Sequence, residues 1–78
     1  MKRGAADFRE RIMLAEARRV EILARLENMP DPIKRHPAYG NVRELLGPRY
    51  VKARIVQRFA VLQSAEWLVN VLEALPFI

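Results

Sequence analysis

Between Gly4 and Pro30 the chain runs without a proline or a glycine, and within that run its apolar residues keep a fixed beat. Phe8, Ile12, Ala15, Arg19, Ile22, Leu26 and Met29 recur at alternating spacings of four and three. A helix gathers such positions onto one face, whereas a strand would divide them between two. Ala, Glu, Arg and Leu fill the positions between, and all are good helix formers. The pattern therefore predicts one amphipathic helix over residues 5–28 with a heptad-like seam, in which Arg19 is the single polar member. Met13, Val20 and Leu23 widen the apolar face, and Asp7, Glu10, Arg18, Glu21, Arg25 and Asn28 make the solvated one. Arg19 is expected to lay its stem across the seam with its head in water, or else to pair with Glu16 or Glu66.

Pro30, Pro32 and Pro37 follow, three prolines in eight residues. Each lacks an amide donor and biases its predecessor to extended backbone, which predicts a stiff loop over 29–40, pinned by Ile33 and Tyr39. A short helix over 41–46 comes next, with Asn41 as N-cap and Glu44 completing a capping box. Gly47 suits the left-handed residue that closes a helix, and Pro48 suits the first position of another. Nothing then forces a break before Pro76, so a helix over 48–75, about 40 Å long, is expected. Ser64 offers an alternative, a new helix start with a break near 63–64. After Leu62 the polar positions are confined to Gln63, Ser64, Glu66, Asn70 and Glu73. A helix apolar over most of its circumference is one that is covered from more than one side.

These elements predict an all-α fold, a single domain over 1–78 built of two long helices and one short helix. A chain of 78 residues buries a small core. With no cysteine there is no disulfide, and one histidine alone cannot build the usual structural zinc site. Self-association is the compensation left. The expected assembly is a homodimer through residues 59–78, with Phe59, Leu62, Trp67, Leu68, Val71, Leu72, Leu75 and Phe77 at the interface.

Charge divides the chain differently. All fourteen Lys and Arg lie in residues 1–58 with seven of the nine acids, leaving that part at +7 and the rest at −2. A basic surface favours nucleic acid or an acidic protein as partner. The expected nucleic-acid contacts are Lys34, Arg35, Arg43, Arg49, Lys52, Arg54 and Arg58, with DNA ranked before RNA. Residues 41–57 have the outline of a helix-turn-helix cornered at Gly47-Pro48, although Arg43 stands where that motif wants a small residue. Glu66 and Glu73 inside the apolar C-terminal stretch argue against a membrane span, and a cytoplasmic protein is expected. No nucleophile has a plausible base, His36 lies between basic neighbours and a proline, and no Gly-rich phosphate loop or metal-ligand spacing occurs. The sequence thus predicts a non-enzymatic protein without cofactor or metal. It reads as a small nucleic-acid-binding regulator or, alternatively, a protein-interaction module using its apolar helices and the 29–41 loop.

Overall fold

The computed structural model describes the backbone of residues 3–76 and side chains from residue 7. Every regular element in that span is helical. Helix α1 runs Arg3–Glu27, where the seam predicted it. Ala15, Ile22 and Leu26 are buried along that seam and Met29 follows just past its end, while Phe8 stays more than half exposed.

The proline segment is more helical than expected. Asp31–Lys34 forms a single turn, α2, with Pro32 inside its first turn. Pro37 opens α3, Pro37–Glu44. The first turn of a helix has amide groups with no partner in the helix, so a proline there sacrifices nothing and arrives with its φ already helical. His36 caps α3, its Nδ1 accepting from the Ala38 amide at 3.0 Å. Asn41 is therefore an interior residue of α3 and not a cap.

The Gly47-Pro48 corner does not exist. After Glu44 the backbone widens into a π-helical turn, Leu45–Arg49, and returns to α geometry in α4, Tyr50–Lys52. Residues 37–52 thus form one continuous middle helix that carries Pro48 inside it. Proline removes one helical hydrogen bond and crowds the carbonyl four residues back, and a wider turn relieves both. No residue of the described chain has positive φ, so Gly47 closes nothing. The break falls instead at Ala53 and Arg54, both extended, after which α5 runs Ile55–Ala74. It continues through Ser64 without interruption. The expected 48–75 helix is thereby shortened at its start, because Pro48 belongs to the helix before.

α1 and α5 lie side by side and run parallel: Arg18 reaches Glu66 and Arg25 reaches Glu73, each 48 residues on. The middle helix makes the return journey between them. Its Arg43 lies 3.5 Å from Glu27 near the end of α1, while Tyr50 reaches back to Glu16. α5 packs against both neighbours. Leu62, Ala65, Val69 and Leu72 from α5 meet the α1 seam and Val42, Leu46 and Tyr50 of the middle helix in one core. Apart from the Tyr50 phenol, no polar or charged side chain is buried among the described residues.

Candidate functional site

The seven basic residues expected to form one patch are divided by the fold. Lys34 and Arg35 are exposed before the start of the middle helix, and Arg49, Lys52 and Arg54 are exposed at and beyond its end. That helix has sixteen residues, so about 24 Å separates the two groups. Arg43 sits between them, paired with Glu27 and lying over the Tyr39 ring at 5.9 Å.

Arg58 is turned inward. Its guanidinium donates to the carbonyls of Tyr50 at 3.0 Å, Ala53 at 3.2 Å and Val51 at 3.2 Å. These are carbonyls around the end of the middle helix, where the intrahelical acceptors run out and a cation is favoured. Arg58 is the cap of that helix, so it leaves the set of expected nucleic-acid contacts.

Arg19, the polar member of the seam, does a related job. Its Nε donates to the Leu46 carbonyl at 2.7 Å, inside the widened turn, and its head pairs with Glu16 at 2.8 Å. The Tyr50 ring lies between the two structural arginines in sequence and contacts both, Arg19 at 5.1 Å and Arg58 at 4.7 Å from its centre. The Tyr50 hydroxyl donates to Glu16 at 3.3 Å. Burial, then the neighbouring Glu16, push that phenol above its ordinary range.

The polar positions of α5 also meet α1. Arg25 donates to Glu73 at 2.6 Å and to Asn70 at 2.6 Å, and Arg18 pairs with Glu66. The hydrogen bond from Arg25 holds the Glu73 carboxyl below its ordinary value and raises Arg25 in return. Arg18 and Arg25, expected on the solvated face of α1, are thus ties to α5.

Arg49, Lys52 and Arg54 remain. They make no ion pair among the described residues, and they lie beside exposed apolar groups. Val51 and Val56 are 65% and 68% exposed, on either side of the Ala53–Arg54 break. Nearby, Asp7, Phe8, Arg11, Ile55 and Val56 line a shallow cavity of about 280 Å³. This end of the molecule is cationic and apolar at once.

A second exposed surface runs along α5. Of the residues expected at an interface, Leu62 and Leu72 are instead in the core, at 1% exposure each, because they face α1 and the middle helix. Leu68 and Leu75 are partly covered by that core. Phe59, Trp67 and Val71 are exposed, Trp67 most of all at 64%. Phe77 lies outside the described residues. Sequence reasoning missed Val56 and Ala60, although their spacing from Trp67 and Val71 marks the same face.

Compared with known proteins, the chain matches no family model, no curated protein and no solved structure. Among the described residues no three His, Cys, Asp or Glu side chains converge on a point that would hold a metal ion, and no helix is long and apolar enough to cross a membrane.

Proposed function

We propose that this chain is a non-enzymatic protein-interaction module that holds an acidic partner at its Arg49–Arg54 end and self-associates through α5. The observation that carries the first part is the company those cations keep. Phosphate recognition asks for Lys and Arg, whereas a protein interface asks for an apolar centre with a charged rim. Val51 and Phe8 supply the first, and Arg49, Lys52 and Arg54 the second. Self-association is supported by the exposed apolar residues of α5 and by the small core of so short a chain.

Nucleic-acid binding is the second reading. What favours it is that the three cations are exposed and uncommitted to any carboxylate among the described residues. A regulator of this kind would bind through charge alone, since the helix-turn-helix corner is absent.

Fluorescence anisotropy with two probes separates the readings: a helical peptide rich in Glu and Leu, and a short DNA duplex. The interaction reading expects the peptide to bind and Val51→Ser to weaken it as much as Arg54→Glu does. Duplex binding that falls linearly in log–log against salt, with Val51→Ser without effect, would establish the nucleic-acid reading instead.

A further inference from the structure

α5 has two apolar faces on opposite sides. At 100° per residue, the buried Leu62, Ala65, Val69 and Leu72 point to one side, and Val56, Ala60, Trp67, Val71 and Ala74 fall within about 60° of one another on the other. The core accounts for the first face. Nothing among the described residues covers the second.

Its pattern of sizes is self-complementary. Trp67 is the only tryptophan and the largest exposed side chain on the face, and beside it Ala60, Gln63, Ser64, Trp67 and Leu68 line a shallow depression of about 490 Å³. Ala60 and Trp67 are equally far from the point midway between Gln63 and Ser64. So are Val56 and Val71. We infer that a second copy of this chain packs α5 against α5, antiparallel, about a two-fold axis at that midpoint. Each Trp67 then seats over the partner's Ala60, each Val71 meets the partner's Val56, and Gln63 meets Ser64 across the axis. A two-fold contact requires this reciprocity, residue i on j and j on i. A parallel pair would set Trp67 against Trp67 while Ala60 faced Ala60 across a gap.

Charge allows the pairing. Each copy carries +5, but the outer face of α5 bears no Lys, Arg, Asp or Glu at its centre, and the flanking Glu66 and Glu73 are held by Arg18 and Arg25 of the same chain. Area sets its strength. Trp67 alone offers on the order of 150 Å². With Val56 and Val71 the face offers less than half of the ~800 Å² per partner of a standard interface, which makes this a weak, reversible dimer.

The inference rests on the self-association proposed above, and cysteine cross-linking distinguishes the failure of one from the failure of the other. The chain has no cysteine of its own, so single substitutions report cleanly. Val56→Cys and Val71→Cys are prepared separately and oxidised alone and as an equimolar mixture, beside light scattering of the parent chain. In the antiparallel register the mixture forms a heterodimeric disulfide and neither variant does so alone, since like positions sit roughly 22 Å apart and a disulfide needs Cα atoms within about 7 Å. Trp67→Ala, with its helix content checked by circular dichroism, weakens association by roughly tenfold or more. Homodimeric disulfides from Val56→Cys alone would overturn the register while leaving the dimer. A dimeric mass without any cross-link, and unchanged in Trp67→Ala, would move the interface off this face. A monomeric mass into the millimolar range would overturn self-association as well.

Discussion

Arg58 and Arg54 lie four residues apart and have opposite fates. Arg58 folds back onto three carbonyls at the end of the middle helix, while Arg54 stays exposed at the break. Arg58→Ala leaves those carbonyls to water and strips a cation from the Tyr50 ring, and is expected to cost about 1–3 kcal/mol. Arg49→Ala and Arg54→Ala, made on the surface, are expected to change stability by no more than about 0.5 kcal/mol. Urea unfolding of the three variants checks this, and equal small effects would contradict the cap. The sequence marked all of these residues as basic and could go no further. Which arginine becomes a cap depends on where the chain breaks, and the break at Ala53 has no proline or glycine to announce it. Arg19 was only partly legible: a stem laid across the seam with its head in water was the first expectation and pairing with Glu16 or Glu66 the alternative, and its head pairs with Glu16.

At the scale of elements, α1 was readable because seven positions repeat the same message. The middle helix was not, because its prolines and glycines carry two meanings. A proline ends a helix in its interior but starts one in its first turn, and Pro37 does the latter. Pro48 is interior after all, accommodated by a widened turn that local spacing does not disclose. Gly47 gives a decisive test. Its φ is negative, and a Cβ there would meet nothing within 4 Å. Gly47→Ala is therefore expected to stabilise the protein by about 0.5–1 kcal/mol through helix propensity and a less flexible unfolded chain. A left-handed corner would make the same change destabilising. Thermal unfolding distinguishes the two by sign.

For the whole molecule, the parallel run of α1 and α5 determines what is left uncovered. The middle helix must travel back between them, and the result is elongated, 56 Å long with a radius of gyration of 14.4 Å where about 11.5 Å is usual for this length. A slender bundle leaves α5 with neighbours on its inner side only. The sequence did show that α5 is apolar over too much of its circumference for one partner. It did not show which residues face the gap, because Leu62 and Trp67 look equally apolar until the core claims the first. The basic surface was legible as composition and not as a patch, since the fold divides Lys34 and Arg35 from Arg49, Lys52 and Arg54.

The central claim is that the outer face of α5 is a contact surface, and the lone Trp67 reports on it directly. Its fluorescence, recorded over a dilution series from the millimolar to the nanomolar range, should shift from blue to red as the protein is diluted, with light scattering falling from dimer to monomer over the same range. A red emission maximum that does not move with concentration, together with a monomeric mass throughout, would contradict the account.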